Sequence, residues 1–103
     1  MSIYTNEILF ISSNPPYINI HLTAKKYIHK ETLKSVSGKL DHEIFVRIHK
    51  STIVNINKVY SYRSRLNGDY DLTLADGTEL RLSRNYSSVF KEKFKAIHQD
   101  TQE

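Results

Sequence analysis

The 103-residue sequence contains no cysteine and no tryptophan, and only three glycines and two prolines. The absence of cysteine excludes disulfides, thiolate metal sites and cysteine nucleophiles. No apolar run approaches the roughly 20 residues that a membrane helix requires, and the N-terminus lacks the basic and apolar segments of a secretory signal. A chain of this length with 39% hydrophobic and 25% charged residues is typical of one folded domain over residues 1–103, which we expect to be cytoplasmic.

The sequence also lacks the motifs that carry catalysis or hold a cofactor. Its five histidines show no H-x-x-x-H spacing, so no metal site is predicted. There is no G-x-S-x-G nucleophile motif and no glycine-rich phosphate loop. Asp69 and Asp71 are two residues apart, but they adjoin a predicted tight turn, where solvated acids are common. We therefore predict no enzymatic activity, no cofactor and no bound metal.

Acidic residues are missing from one long segment of this basic chain. The net charge is +4, and no Asp or Glu occurs between Ile44 and Gly68. The basic residues of this segment are Arg47, Lys50, Lys58, Arg63 and Arg65. A local excess of positive charge is what a phosphate backbone attracts, although an ordinary solvated surface gives the same pattern.

The N-terminal half predicts three strands and a short helix. An apolar run at residues 8–11 and period-two alternation at residues 17–22 predict two strands, separated by turn-forming residues 12–16. Residues 25–30 are rich in lysine, as is common in an edge strand. Residues 31–40 are typical of a short helix. Its expected end residues are Thr32 as the N-cap and Gly38 at the C-terminus.

The C-terminal half predicts a β-meander followed by a helix. "EIFVRI" is expected to be a short extended segment. "VYSYRS", "YDLTL" and "TELRLS" are strand patterns joined by Asn67-Gly68 and Asp76-Gly77, dipeptides that favour tight primed turns. From Tyr86 onward, apolar residues at i, i+3 and i+4 spacing predict an amphipathic helix, followed by a polar tail at residues 100–103. The apolar positions of this helix are Tyr86, Val89, Phe90, Phe94 and Ile97. The predicted fold class is mostly β with two helices.

The segment "RIHKSTIVNINKV", residues 47–59, holds a polar cluster between two apolar ends. Ile48 precedes the cluster and Ile53 follows it. The polar cluster consists of His49, Lys50, Ser51 and Thr52. Apolar anchors on both sides fix a short loop against a rigid scaffold, which is how a defined contact surface is built. Asn55 and Asn57 are expected to satisfy buried backbone groups, because side-chain amides favour such local bonds.

In this order and spacing, these segments resemble the LytTR (LytR/AlgR-type) DNA-binding domain of bacterial transcription regulators. The resemblance rests on "EILFISS", "FVRIHKSTIVNI", the Asp-Gly hairpin and "SRNY" at the start of the last helix, and it covers nearly the whole chain. It implies elongated small β-sheets with a C-terminal amphipathic helix, and loops that enter the major groove of double-stranded DNA.

The resemblance also implies the regulatory setting of such a domain. Members of the family act as the output half of a response regulator in a two-component system and bind promoter repeats as homodimers. A chain of about 100 residues cannot hold an N-terminal receiver domain as well. We therefore expect either an excised output domain or a naturally short regulator.

Carried over position by position, the resemblance implies DNA contacts at three places. The first is the loop at residues 14–17, where Asn14 and Tyr17 are the candidates because two prolines offer no side-chain donor. The third is Arg84, with Asn85 beside it, at the junction of the last strand and the helix. The alternatives are that Tyr17 packs within the loop or core and that Arg84 is a surface ion-pair residue.

The second place is the polar cluster. Lys50 is expected to face the bases, and it contacts either a guanine or a phosphate. The expected backbone or supporting contacts are His49, Ser51 and Thr52. The alternative for Lys50 is an ordinary solvated lysine.

A different class of function follows from the tyrosines of the meander. Tyr60, Tyr62 and Tyr70 would suit a β-surface that binds single-stranded RNA or a protein partner, because stacking is how such surfaces hold unpaired bases. Tyr60 and Tyr62 are two residues apart, so the pattern predicts that they face the same side of a strand.

Overall fold

A computed structural model describes residues 5–98 as two antiparallel β-sheets and two helices. The five-stranded sheet has the order β3-β2-β1-β5-β4 and consists of β1 (Phe10–Asn14), β2 (Tyr17–His21), β3 (Lys26–His29), β4 (Phe45–His49) and β5 (Thr52–Asn55). The three-stranded meander consists of β6 (Val59–Ser64), β7 (Tyr70–Leu74) and β8 (Glu79–Leu82). The helices are α1 (Leu33–Ser37) and α2 (Arg84–His98), and 3-10 turns lie at Thr5–Glu7 and Ile56–Lys58. The predicted fold class is confirmed.

The described residues form an elongated body with extents of 43 × 29 × 25 Å. The strand predicted at residues 25–30 is β3, at one edge of the five-stranded sheet. Thr32 is the N-cap of α1, as predicted, because its hydroxyl accepts the Ser35 N–H at 3.0 Å. The C-cap is Gly38. The predicted polar tail at residues 100–103 lies outside the described residues.

Two clusters of buried apolar residues flank the β4–β5 hairpin. One cluster joins α1 to the five-stranded sheet and contains Leu33, Val36, Ile11, Ile18, Phe45 and Ile53. The other joins the hairpin to the meander and α2 and contains Val46, Ile48, Val54, Leu72, Leu74, Leu82 and Phe90. Because successive strand residues point to opposite faces, this hairpin is buried on both sides. It is therefore a rigid support for the turn at its end.

The β1–β2 connection is tighter than the sequence suggests. Residues 12–14, predicted as turn formers, are paired with β2 as part of the strand β1. Only Pro15 and Pro16 form the turn, and the peptide bond between them is cis, as in a type VI turn. The prediction for residues 12–14 was wrong because β1 has partners on both sides, and that pairing outweighs their turn propensity.

The two turns of the meander lie where the sequence predicts them but are of another type. In the first, the Gly68 N–H donates to the Arg65 oxygen at 3.2 Å, and the Arg65 N–H donates to the Asp69 oxygen at 2.8 Å. Gly68 and Gly77 have φ of 92° and 95°, whereas no other residue of the described range has positive φ. A primed two-residue turn would require positive φ at Asn67 as well. These are therefore three-residue turns that end on a left-handed glycine.

The tyrosines of β6 do not share a face, so that prediction was wrong. The register with β7 shifts between Val59 and Ser61, which makes Tyr60 an extra, bulged residue. Tyr60 is 75% exposed. Tyr62 packs against the core instead, with its ring centroid 5.7 Å from Phe90.

The last helix begins earlier and buries a narrower face than predicted. α2 begins at Arg84, so Arg84 and Asn85 belong to its first turn rather than to a linker. Phe90 is fully buried, and its core-facing neighbours on the helix are Tyr86 and Phe94. Val89 and Ile97, which the spacing placed on the apolar face, are exposed. The meander is too narrow to cover the wider face.

Candidate nucleic-acid interface

The first two predicted contact places lie side by side at one end of the five-stranded sheet. The β1–β2 turn at residues 15–16 and the β4–β5 turn at residues 50–51 end strands that pair directly, since β1 lies next to β5. The Ser13 N–H donates to the Ser51 oxygen at 2.9 Å. Asn14 and Lys50, each adjacent to one partner of this bond, are both exposed.

The third place is attached to the second by another backbone bond. The Ser83 N–H donates to the Ile48 oxygen at 2.8 Å. Ile48 is two residues before Lys50, and Ser83 immediately precedes Arg84. We call the resulting row, residues 14–17, 49–52 and 84–85, the contact edge. The structure thus brings all three predicted places together.

The polar side chains of the 50–51 turn bind one another. The Ser51 N–H donates to Nδ1 of His49 at 3.2 Å, and the Ser51 hydroxyl lies 2.9 Å from the same nitrogen. Thr52 Oγ1 is 3.4 Å from Ser51 Oγ. Because His49 Nδ1 accepts a backbone N–H, the proton of its neutral ring is on Nε2. Lys50 projects from this small network and is exposed.

Arg47 holds the backbone of the same turn from the side of β4. Its Nε donates to the His49 oxygen at 2.9 Å, and its Nη2 donates to the Lys50 oxygen. Sequence reasoning placed Arg47 only in the basic segment and missed this role. Nothing in the local sequence marks it, because the turn itself contains no glycine, proline or asparagine.

Arg84 is placed by the first meander turn. Its backbone N–H donates to Asp69 Oδ1 at 3.0 Å, so the carboxylate lies at the positive end of α2. A Cβ built on Gly68 would be 3.3 Å from Arg84 Cδ, which shows that the arginine side chain lies against this glycine. A side chain at residue 68 would therefore meet the arginine.

Two cations of the contact edge remain unpaired. Asp69 and Asp71 form ion pairs with the neighbouring meander arginines, with Arg65 to Asp71 at 3.1 Å and Arg81 to Asp69 at 3.4 Å. Within residues 5–98, neither the Lys50 ammonium nor the Arg84 guanidinium has an ion pair or a hydrogen bond. These charges are available to an anionic ligand.

Asn55 has the structural role predicted for it, and Asn57 does not share that role through its side chain. Asn55 is 1% exposed, and its Nδ2 donates to the Ile8 oxygen at 2.9 Å. Its Oδ1 accepts the backbone N–H of Asn57 at 3.0 Å. Asn57 is itself exposed. One buried amide therefore ties β5 to the segment before β1.

The remaining members of the contact edge differ in exposure. Asn14 and Asn85 are exposed. Tyr17 is 42% exposed, so its side chain is not part of the core. His49 and Thr52 are half-buried.

The tyrosines do not form a stacking surface. The Tyr62 ring is 5.7 Å from that of Tyr70 and is edge-on to it. The Tyr70 hydroxyl accepts a hydrogen bond from Lys91 Nζ at 2.6 Å, which raises the pKa of that lysine. Of the three candidates, this leaves Tyr60 alone with its ring open to solvent.

Two other classes of site were searched for over residues 5–98. No group of three or more His, Cys, Asp or Glu side chains within that range is arranged to hold a metal ion. None of its helices is both long and apolar enough to cross a membrane.

Comparison with known proteins identifies the family. The sequence model of the LytTr DNA-binding domain matches residues 1–95. This chain belongs to the LytTr family. The sensory transduction protein LytR of Staphylococcus epidermidis is 32% identical to this LytTr domain over 87 residues, which are 84% of the domain and 34% of that protein. The sensory transduction protein LytT of Bacillus subtilis is 28% identical over 88 residues, 85% of the domain and 36% of that protein. The LytTr domain thus spans about a third of the length of these relatives.

A solved structure confirms the fold. The LytTr DNA-binding domain of a methyl-accepting/DNA response regulator from Bacillus cereus superposes with a TM-score of 0.82. The match covers 90% of this LytTr domain and 85% of that chain, at 19% identity. At that identity the likeness establishes the arrangement of strands and helices, and the contacts of individual side chains must be argued from this chain.

Proposed function

We propose that this LytTr domain binds double-stranded DNA sequence-specifically, with the loops of the contact edge in the major groove. The observation that carries the proposal is the row of three segments joined by the Ser13–Ser51 and Ser83–Ile48 backbone bonds, on which Lys50 and Arg84 are unpaired. A rigid edge with free cations suits a duplex, because phosphates attract the charge and base edges require fixed donors.

Arg84 and Lys50 have the leading roles in this proposal. The guanidinium of Arg84 makes a bidentate pair with O6 and N7 of a guanine, worth roughly 1–3 kcal/mol of discrimination. Lys50, from the adjacent turn, contacts a guanine or a phosphate. The distance between them is set by backbone hydrogen bonds rather than by flexible side chains, so the two contacts have a defined spacing.

The other members of the contact edge support these two. His49 uses Nδ1 within the turn, which leaves its Nε2–H to donate to a phosphate. Ser51 and Thr52 shape the turn and contact the backbone. Asn14, Tyr17 and Asn85 flank the cations, and the Asn14 amide replaces the side-chain donor that Pro15 and Pro16 lack.

The relatives set the wider context of the proposal. The two sensory transduction proteins are about three times as long as the matched segment, and we propose that this domain likewise acts as the output part of a response regulator with an N-terminal receiver. We further propose that two copies bind paired promoter repeats, one on each repeat, so that dimerisation doubles the number of base contacts.

Selection of bound fragments from random duplex DNA tests the function. The enriched fragment, called the selected site below, is then titrated at several salt concentrations, as a duplex and as its separate strands. We expect preference for the duplex and a log–log salt slope near −0.9 for each phosphate contact. Absence of any enriched sequence, or equal binding of single strands, would contradict the proposal.

A further inference from the structure

Four consecutive carbonyl oxygens around the 50–51 turn each have a specific donor. Ser83 N–H donates to Ile48, and Ser13 N–H donates to Ser51. The two oxygens between them, on His49 and Lys50, both accept from the guanidinium of Arg47. The register of β4 with β5 shifts between Arg47 and His49, so the side chain supplies donors at an irregular point in the ladder.

We propose that Arg47 is a positioning residue that fixes the backbone of the 50–51 turn and thereby aims Lys50 at the DNA. It acts through the turn and does not itself contact the nucleic acid. The inference deepens the proposed function and rests on it, since a positioned Lys50 matters only if the contact edge binds DNA.

The chemistry of the guanidinium explains why an arginine is suited to this place. Its planar fork presents N–H groups in fixed directions, so one side chain can bind two successive carbonyls. A lysine would keep the charge but would offer a single rotatable ammonium. With Nε and Nη2 bound to the turn and Arg47 half-buried, this arginine is less free to reach a phosphate than the exposed Arg63.

The positioning role has consequences for the free protein that do not depend on DNA. In Arg47→Lys, the Lys50 and Ser51 amides should lose order, measured by backbone NMR relaxation. Arg63→Lys is the matched control, because Arg63 is exposed and belongs to the other sheet. Unchanged order of the turn in Arg47→Lys would overturn the proposal, whatever the DNA result.

The DNA-bound state gives the second test, with the selected site compared with a scrambled duplex. Arg47→Lys should lower the ratio of the two affinities roughly tenfold, comparable to the loss of one base contact, while the salt slope stays unchanged. Arg63→Lys should leave the ratio as in the parent. A salt slope reduced by about 1 in Arg47→Met would overturn the proposal, because it would show that Arg47 binds a phosphate.

A double-mutant cycle completes the experiment. If Arg47 acts through Lys50, Arg47→Lys should cause little further loss of specificity in a Lys50→Ala background. Full additivity of the two losses would overturn the proposal. A parent domain that shows no duplex preference would refute the proposed function instead, and the relaxation measurement would still decide whether Arg47 orders the turn.

Discussion

Ser83 donates its backbone N–H to the carbonyl oxygen of Ile48 at 2.8 Å, and this bond joins the end of the meander to the five-stranded sheet. Ile48 is fully buried, so the bond lies at the margin of the core. Its consequence is that Arg84 at the start of α2 and Lys50 in the β4–β5 turn have a fixed relationship. Two candidate base contacts that are 34 positions apart in the sequence therefore belong to one rigid edge.

The two left-handed glycines offer a matched pair of substitutions. Gly68→Ala and Gly77→Ala should each lower the free energy of unfolding by about 1–2 kcal/mol, because alanine disfavours positive φ. Only Gly68→Ala should also weaken preference for the selected site, because its methyl group would displace the Arg84 side chain. Urea unfolding and competition between duplexes measure the two effects. Equal DNA specificity of both variants would show that Gly68 does not position Arg84.

The asparagine pair separates a structural amide from an exposed one. Asn55→Ala should lower the free energy of unfolding by about 1–3 kcal/mol, because the Ile8 oxygen and the Asn57 N–H lose their partner near the core. Asn57→Ala, at an exposed position, should stay within about 0.5 kcal/mol of the parent. Urea denaturation of both variants provides the comparison. A similar loss in the two would refute the role assigned to Asn55.

His21 makes stability depend on pH in a defined direction. Burial lowers the pKa of this imidazole from its ordinary value of 6.5, and the nearby Lys26 ammonium adds to the effect. The ring stacks on Phe10 at 4.0 Å, and its Nε2 is 3.1 Å from Ser12 Oγ. Below pH 6.5 the unfolded chain binds this proton more readily than the folded one, so the contribution of His21 is complete above that pH and declines as the pH falls toward its lowered pKa.

An NMR titration of the His21 ring measures this directly. The midpoint should lie below 6.5, and the decline in unfolding free energy from about pH 7 to about pH 5 should be smaller in His21→Gln than in the parent. A midpoint at or above 6.5 would contradict the assignment.

Local patterns in the sequence predict much of the fold. "VYSYRS" coincides with β6, because strand residues are bounded there by strong turn formers. Thr32 and Gly38 mark the ends of α1 because capping chemistry is local. The two Gly-containing dipeptides locate the hairpins of the meander, although the turns have three residues.

The β4–β5 hairpin was not predicted, because its turn depends on long-range and side-chain contacts. Lys50 and Ser51 have no turn preference comparable to that of Asn-Gly. The turn is held by the Arg47 guanidinium and by the Ser13 N–H of a neighbouring strand. Likewise, the bulge at Tyr60 shifts the face of the following residues, which period-two alternation cannot anticipate.

The members of the candidate site followed from the resemblance to a family, and their arrangement required the structure. Lys50 and Arg84 were named from motif positions. Their adjacency depends on the Ser83–Ile48 bond, and their availability depends on Asp69 and Asp71 pairing with other arginines. Neither relationship is visible in a linear sequence.

The central claim is that Lys50 and Arg84 on one rigid edge recognise duplex DNA. The most direct measurement is the affinity of Lys50→Ala, Arg84→Ala and the control Arg63→Ala for the selected site and for a scrambled duplex. Arg84→Ala should lose roughly 1–3 kcal/mol of preference for the selected site yet keep its non-specific binding, and Lys50→Ala should also bind that site more weakly, while Arg63→Ala keeps the preference of the parent. If Lys50→Ala and Arg84→Ala both bind the selected site as tightly as the parent, the contact edge is not the DNA-binding surface.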